Sequence, residues 1–308
     1  MQSGIGRLRH NYLIVAALSG TVGGLIGGIL TAIIVNNWVF YNTTNSSHLY
    51  LLYGFLGLVA GPPIGYVVAS WSNWTSGNWK AQRQTVKSGI FSGVGGYIGF
   101  VVGTYLGFKL HLNTGSGAHE YFGRMIFLAC IGAGIGTGLA ASYGIKSKRV
   151  LNGLIGGTIG GAVAGLLLQF IKGVLWTSMP DWIFEILEIL PVAIGVALGT
   201  SIVERVFRES WIRITAGPMS GKEFTLFKPE TRIGADYRCD IVMARDPQVR
   251  PFHAAFLRDS NGKVTVGPFE GAQINLNGMP STGGPLRNFD AVIIGSSVLT
   301  YQEKAVER

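Results

Sequence analysis

Two carboxylates, Glu185 and Glu188, lie in a stretch of the chain that is otherwise apolar enough to cross a lipid bilayer. Their spacing of three residues places them on one face of a helix. Because an ionisable side chain inside a membrane is energetically expensive, each one is a candidate functional residue. The pair can bind a cation, relay a proton or form an ion pair with Arg124, which stands in another apolar stretch. The alternative is that both carboxylates lie close enough to the membrane surface to reach water.

The motifs of common enzyme classes do not occur in the sequence. There is no nucleophile elbow, P-loop, zinc-ligand spacing or dinucleotide fingerprint. The two cysteines, Cys130 in an apolar stretch and Cys239 in a polar one, lie in segments that could not easily meet, so no disulfide framework is indicated. We therefore expect no catalysis, no bound metal and no cofactor.

The elements that position these residues divide the chain into two unlike parts. Charged residues make up only 13% of the 308 residues, and 22 of those 41 lie after Ser210. Glycine has the opposite distribution, with 36 of 46 residues before that point. In soluble proteins charged residues usually make up about a quarter of the chain. The low charged fraction here therefore excludes a wholly soluble protein. We predict a transmembrane domain at 1–204, a short linker at 205–210 and a second domain at 211–308.

Six apolar stretches are long enough to cross about 30 Å of hydrocarbon as helices. Arg7 and Arg9 precede the first stretch, which runs too far for a signal peptide, so we expect a retained helix. The six predicted spans are 13–35, 50–70, 88–108, 121–144, 151–175 and 183–203.

Lysine and arginine are distributed unequally between the two ends of these spans. Ten lie on one side if every span crosses the membrane, and three, Lys109, Arg124 and Lys172, lie on the other. Because positively charged flanks stay in the cytoplasm, both termini and the second domain are predicted to be cytoplasmic, with the spans in the plasma (inner) membrane. This topology accounts for the net charge of +9, so nucleic acid is not an expected partner.

The glycines recur at fixed offsets along the chain. Adding 133 to the positions of Gly20, Gly23, Gly24, Gly27 and Gly28 gives five further glycines, and adding 72 to three of them, Gly23, Gly24 and Gly27, also gives glycines. The first, third and fifth spans therefore look like copies, and we infer three tandem helical hairpins. Glycines spaced by four residues let helix backbones approach closely, which supports helix association in lipid. The alternative is that they line a pore or mediate oligomerisation. The predicted helix-packing positions are Gly20, Gly24, Gly28, Gly95, Gly99, Gly103, Gly153, Gly157 and Gly161.

After Ser210 the chain alternates short runs of apolar and polar residues with glycine turns, a pattern typical of a β-sandwich. Its motifs resemble those of the forkhead-associated (FHA) family, in the family's order. The resemblance implies a sandwich of two sheets whose loops at one end recognise phosphothreonine peptides. The matching segments are 217–221, 232–234, 239–241, 253–254, 277–278, 289–290 and 294–295.

The family's usual phosphate ligands are not all present. Ala235 stands where the family usually has arginine, Arg250 where it usually has serine, and Ala272 where it usually has asparagine. The resemblance implies that His253 fixes a loop and that Asn277 forms a hairpin turn with a positive φ. Anion binding would then depend on a rearranged site, because arginine offers a bidentate fork to phosphate or carboxylate. The candidate partner-binding residues are Arg250, Arg238, Arg245, His253 and Asn277.

Three functions are consistent with these features. The first is a membrane-anchored scaffold or signalling adaptor that presents an atypical FHA domain to cytosolic proteins, phosphorylated or not. The second is a channel or transporter with a regulatory or assembly tail, which water-accessible Glu185 and Glu188 would favour. The third is a structural subunit of a larger membrane complex. Membrane lipids are expected partners in all three, and a homo-oligomer is left open.

Overall fold

The computed structural model describes residues 12–35, 46–75, 82–110, 118–144, 148–175, 180–259 and 261–304. The chain forms two compact units with a boundary after Val206. The first is built from helices and the second from strands.

Each of the six predicted spans is a helix, and all six are long and apolar enough to cross a membrane. The second helix begins four residues before its predicted start and ends five residues after its predicted end, and the third begins at Gln82. Hydropathy marks only the apolar part of a helix, whereas backbone hydrogen bonding continues into polar residues. The helices are α1 (Tyr12–Ile34), α2 (Ser46–Thr75), α3 (Gln82–Lys109), α4 (Ala118–Ala141), α5 (Lys148–Leu175) and α6 (Asp181–Val206).

Glycines lie where neighbouring helices approach each other most closely. A Cβ atom on Gly20 of α1 would lie 2.7 Å from Cα of Ile194 in α6. One on Gly23, on the other face of α1, would lie 2.9 Å from Cα of Ile64 in α2. Atoms at these separations overlap, so α1 can pack this closely against both α2 and α6 only because glycine has no side chain.

The same close approach joins each helix to the next one along the chain. With the contact between α1 and α6, the six helices form a closed ring in chain order. The glycine pairs are Gly57 and Gly96 between α2 and α3, Gly95 and Gly134 between α3 and α4, Gly132 and Gly157 between α4 and α5, and Gly160 and Gly195 between α5 and α6. Of the other predicted packing positions, Gly24 and Gly28 contact α6, and Gly99, Gly103, Gly153 and Gly161 contact α4.

The interior of this ring is filled by apolar side chains. Helices α2 to α6 all contribute to one cluster, in which Leu128, Ile131, Val192 and Val196 are fully buried. Large apolar side chains also cover the outward faces. A helix that is hydrophobic on all sides is typical of a membrane span, because its outer face meets lipid. The three-hairpin repeat stays a prediction.

The strand unit is a sandwich of two sheets. One sheet has six strands in the order β2-β1-β11-β10-β7-β8, and the other has five in the order β4-β3-β5-β6-β9. The strands are β1 (Ser210–Ala216), β2 (Glu223–Thr225), β3 (Glu230–Gly234), β4 (Ile241–Val242), β5 (Ala254–Arg258), β6 (Val264–Pro268), β7 (Ile274–Leu276), β8 (Met279–Ser281), β9 (Gly284–Pro285), β10 (Ala291–Ile294) and β11 (Ser297–Glu303).

The sandwich core lies between the two sheets. Ile212 and Leu299 from one sheet face Ile233 and Phe256 from the other, and all four are fully buried. The alternation of buried and exposed residues along β1 and β11 is the pattern that the sequence predicts. The alternating pattern does not mark β7, β8 and β9, which have only two or three residues each, although the turn between β7 and β8 is predicted at Asn277 and Gly278.

The residues predicted as a linker, 205–210, are divided between the two units. Arg205 belongs to α6, which ends at Val206. Arg208 is held on the sandwich, where its Nη1 lies 2.6 Å from Glu223 Oε2 and its guanidinium stacks on the Trp211 ring at 3.9 Å. Glu209 is ion-paired with Arg258 of β5. The segment that follows α6 is therefore part of the sandwich structure.

Candidate functional site

Three loops meet at one end of the sandwich: β3–β4, β4–β5 and β6–β7. The backbone N–H of Ala235 donates to the carbonyl of Arg250 at 2.8 Å, and that of Asp236 donates to the carbonyl of Pro251 at 3.0 Å. These bonds join the β3–β4 loop to the β4–β5 loop. Gly234 has room only for hydrogen, because a Cβ atom there would overlap the Pro251 carbonyl. The loops are therefore held together by main-chain contacts before any side chain is considered.

His253 joins the β4–β5 loop to the β6–β7 loop. Its Nδ1 accepts the backbone N–H of Arg250 at 3.1 Å, and its Nε2 lies 2.8 Å from the carbonyl oxygen of Gln273. Since Nδ1 accepts a hydrogen bond and the Gln273 carbonyl can only accept one, we assign the ring hydrogen to Nε2. The side chain is only 4% exposed. His253 therefore positions the loops, as the resemblance implies.

Arg250 presents its side chain where these loops meet. The residue is exposed, and its guanidinium lies over Gly271 of the β6–β7 loop. A Cβ atom on Gly271 would lie 2.5 Å from Nη1 of Arg250, and the φ of +72° also favours glycine. Among the described residues, no hydrogen bond or ion pair of this guanidinium is found. The charge is thus presented to solvent from a fixed backbone.

Arg238 lies in the same region, but its charge has a partner. Its Nε and Nη2 each lie 3.0 Å from an oxygen of Asp236, and its guanidinium is 4.9 Å from the Phe252 ring centre. The hydrogen bonds from Arg238 lower the pKa of Asp236. Phe252 in turn packs edge-on against Phe269 of the β6–β7 loop. Arg238 is therefore part of a fixed arginine–aromatic surface beside Arg250.

The two other predicted residues lie in different surroundings. Arg245 is exposed in the β4–β5 loop. Asn277 lies in the two-residue turn between β7 and β8, with φ of 52° followed by 85° at Gly278, as the sequence predicts. Its Nδ2 donates to Asp290 at 2.9 Å, and its Oδ1 accepts from the backbone of Ala291 at 2.8 Å. The structure brings Arg250, Arg238 and His253 together and places Asn277 at the far end of β7.

Asp246 is a further residue of this end of the sandwich, and the sequence analysis missed it. Its carboxylate is buried and accepts hydrogen bonds from the backbone and side chain of Ser296, the hydroxyl of Ser297 and the backbone of Gln248. Burial by itself raises the pKa of Asp246, but the hydrogen bonds from Ser297 and Ser296 outweigh it, so the pKa is lowered. The two serine partners are fifty residues or more away in the sequence, so no local pattern indicates this anchor.

Cys239 is a structural residue of the β3–β4 loop. Its Sγ lies 3.3 Å from the carbonyl oxygen of Pro251. Burial, with the neighbouring Asp236 and Asp240, raises the pKa of its thiol to about 11. A thiol that stays protonated at neutral pH is a poor nucleophile.

Among the intramembrane candidates, Glu188 of α6 forms an ion pair with Arg124 of α4. This is one of the arrangements that the sequence allows. Both side chains are mostly buried, at 18% and 24% exposure. The structure does not describe the side chain of Glu185. Among the residues that the structure describes, no group of three or more His, Cys, Asp and Glu side chains is arranged to hold a metal ion.

No protein-family model and no curated protein matches the chain. Solved FHA domains match the sheet region that follows the helices. One, from work on phosphothreonine-dependent FHA interactions, has 15% identity, a TM-score of 0.29, and covers 32% of this chain and 99% of its own. The FHA domain of the CT664 protein from Chlamydia trachomatis has 20% identity, a TM-score of 0.29 and the same coverage.

The cytoplasmic domain of the T3SS sorting platform protein PscD from P. aeruginosa has 22% identity and a TM-score of 0.28. It covers 32% of this chain and 83% of its own. The predicted fold class, six apolar helices followed by a sandwich of two sheets, is confirmed by the helices and strands of the structure.

Proposed function

We propose that this protein is a membrane-anchored adaptor whose sandwich binds a cytosolic protein through the three-loop end. The observation that carries the proposal is the placement of Arg250, whose backbone is fixed by hydrogen bonds to two of the three loops while its guanidinium lies over Gly271 and faces solvent. Arginine is favoured at protein interfaces because one side chain supplies a planar fork and a stacking surface. The arginine–aromatic surface of Arg238 and Phe252 extends this contact area.

The ligand chemistry that fits Arg250 is an anionic group, either a phosphate or a carboxylate. A guanidinium can donate two parallel hydrogen bonds to either of them. Ala235 and Ala272 supply no side-chain donor at the positions where FHA domains usually have arginine and asparagine. We therefore infer that contacts between the partner and the surface around Arg250 supply most of the binding energy. A single phosphothreonine of the partner supplies less.

The helical unit supports anchoring better than transport. Apolar side chains form the buried cluster inside the ring, and Glu188 is ion-paired with Arg124. A cation path would need polar groups with access to water. We infer that the glycines serve helix packing, because they lie at helix contacts throughout the ring.

Arg250→Ala is expected to weaken partner binding by at least about tenfold, since a charge-assisted hydrogen bond contributes roughly 1.5–3 kcal/mol. The measurement is calorimetry on the full-length protein in detergent, with matched phosphorylated and unphosphorylated threonine peptides. We expect the wild type to bind the phosphorylated peptide weakly, and this phosphate-dependent binding to fall below detection in Arg250→Ala.

Arg245→Ala is the matched control, because it removes an exposed arginine from the same loop. We expect it to have a smaller effect than Arg250→Ala. Phosphate-dependent micromolar binding that persists in Arg250→Ala would contradict the assignment of the site.

We also propose that the sandwich faces the cytoplasm, on the basis of the unequal Lys and Arg distribution. A cysteine at Ser46, the first residue of α2, should react with an impermeant thiol reagent in intact cells. A cysteine at Tyr237, which is 60% exposed, should react only after permeabilisation. Labelling of the Tyr237→Cys variant in intact cells would refute the orientation.

A further inference from the structure

Phe289 has a backbone conformation that is unfavourable for a bulky residue. Its φ is +71°, in the left-handed region that glycine and asparagine normally occupy. Its side chain is 67% exposed, so little burial within the sandwich offsets this strain. Strained residues persist where the surrounding structure holds them, and they occur preferentially at functional positions.

The turn that carries Phe289 is firmly held. The backbone N–H of Phe289 donates to the carbonyl of Tyr301 at 2.8 Å, and that of Arg287 donates to the Asp290 carboxylate at 2.7 Å. The Asn288 side chain accepts from the backbone of Glu303 at 3.1 Å. The aromatic ring is therefore held outward by contacts on both sides of it.

A second exposed apolar residue belongs to the same end of the sandwich. Met279, the first residue of β8, is 74% exposed at the edge of the six-stranded sheet. The side chain of Asn277 joins its turn to that of Phe289 through the hydrogen bond to Asp290. Two exposed basic residues belong to the same end: Arg287, two residues before Phe289, and Lys304, which follows the residue bonded to Asn288. We call Phe289 and Met279 the apolar edge.

The apolar edge lies at the end where the chain enters the sandwich. Ser210, the first residue of β1, pairs with Glu303, whose backbone is bonded to Asn288 of the Phe289 turn. Only residues 207–209 separate β1 from the end of α6. Because a chain extends at most about 3.6 Å per residue, a membrane that holds α6 is within reach of this end.

We propose that the apolar edge contacts the lipid surface, with Phe289 and Met279 at the boundary between headgroups and acyl chains and Arg287 and Lys304 near anionic headgroups. Surfaces that contact the membrane interface typically combine aromatic and flexible apolar side chains with basic residues. This contact accounts for an exposed phenylalanine at a position where glycine would be less strained. It is separate from the three-loop end, which lies at the opposite end of the sandwich.

The test uses the full-length protein in vesicles of phosphatidylcholine and phosphatidylglycerol, with the environment-sensitive fluorophore NBD on a Met279→Cys variant. We expect blue-shifted emission that is quenched by nitroxide-labelled lipid. A Tyr237→Cys variant, with the fluorophore at the opposite end and similar exposure, should emit as in water. Both variants carry Cys130→Ala, because a fluorophore on this partly buried cysteine of α4 would itself lie in lipid. Labelling of the remaining Cys239 is small, because its thiol is buried with a pKa of about 11.

Phe289→Gly separates the lipid contact from a structural role. Glycine suits the positive φ, so this variant should melt at the same or a higher temperature. In the Met279→Cys background it should nevertheless lose the lipid quenching. Water-like emission at position 279 would overturn the proposal, as would a blue shift without lipid quenching, which would indicate a protein contact. Quenching that survives Phe289→Gly would also overturn it.

Discussion

Gly157→Leu is expected to destabilise the helical unit by about 3 kcal/mol, the upper range for overpacking. A Cβ atom at this position would overlap the carbonyl oxygen of Gly132 in α4. Backbone atoms cannot change rotamer, so α4 and α5 would have to separate along their glycine contact. Separation also removes the close van der Waals packing that holds helices together in lipid. Unfolding in detergent, followed by circular dichroism, measures the effect.

Val163→Leu is the matched control, because it introduces the same residue on the outward face of the same helix, where Val163 is exposed. We expect it to leave the unfolding transition unchanged. Gly24→Leu should also destabilise the unit, since its Cβ would lie 2.8 Å from Cβ of Ala193 and 3.1 Å from Cα of Leu190. If neither glycine variant unfolded more readily than Val163→Leu, the helices would not depend on these contacts.

Asp246→Ala is expected to destabilise the sandwich by about 3 kcal/mol, because hydrogen bonds to a charged group contribute roughly 1.5–3 kcal/mol and buried donors would lose their acceptor. Ser297, which is fully buried, would lose the partner that lies 2.7 Å from its hydroxyl. The β4–β5 loop, which carries Arg250, would lose its attachment to the β10–β11 turn. Thermal unfolding of the full-length protein, followed by near-UV circular dichroism, checks this.

Ser296→Ala is the control for this prediction. Ser296 is exposed, and the alanine substitution removes only its hydroxyl. Asp246 still accepts hydrogen bonds from the backbone N–H of residue 296 and from the Ser297 hydroxyl. We expect a loss well below that of Asp246→Ala. Equal losses would show that the buried carboxylate is not the anchor.

The pH dependence follows from the lowered pKa of Asp246. The folded-state pKa lies below the unfolded value of about 3.9, so the stabilisation is fully present above about pH 4. It is lost as the pH falls through the folded-state pKa, because below the unfolded-state pKa the unfolded state binds a proton that the folded state does not. The free energy of unfolding should therefore decline less steeply in acid for Asp246→Ala than for the wild type.

The sequence determined the two-part architecture because both patterns that encode it are local. A run of about twenty apolar residues can satisfy its backbone in lipid only as a helix. The alternation in β1 and β11 likewise identifies half-buried strands. The hairpin at Asn277 and Gly278 was also readable, since a two-residue turn between strands needs positive φ at both positions.

The tertiary structure alone decided which residues form the candidate site and which serve only the scaffold. Arg238 and Arg250 are alike in sequence, but Asp236 neutralises Arg238 while Arg250 lies over Gly271 without a partner among the described residues. Asp246 resembles any surface aspartate until its serine partners, fifty residues and more along the chain, are placed beside it.

The closed ring of helices was likewise decided by tertiary contacts. Glycine spacing predicts close packing but not which face of a helix meets which neighbour, because α1, α3, α4 and α5 each have glycines that contact two different helices. Exposure of the apolar edge depends on the sheet order, since Met279 would be covered if another strand followed β8. Local sequence specifies the elements through backbone hydrogen bonding and hydropathy, whereas charge pairing, exposure and neighbour choice depend on residues that only the fold brings together.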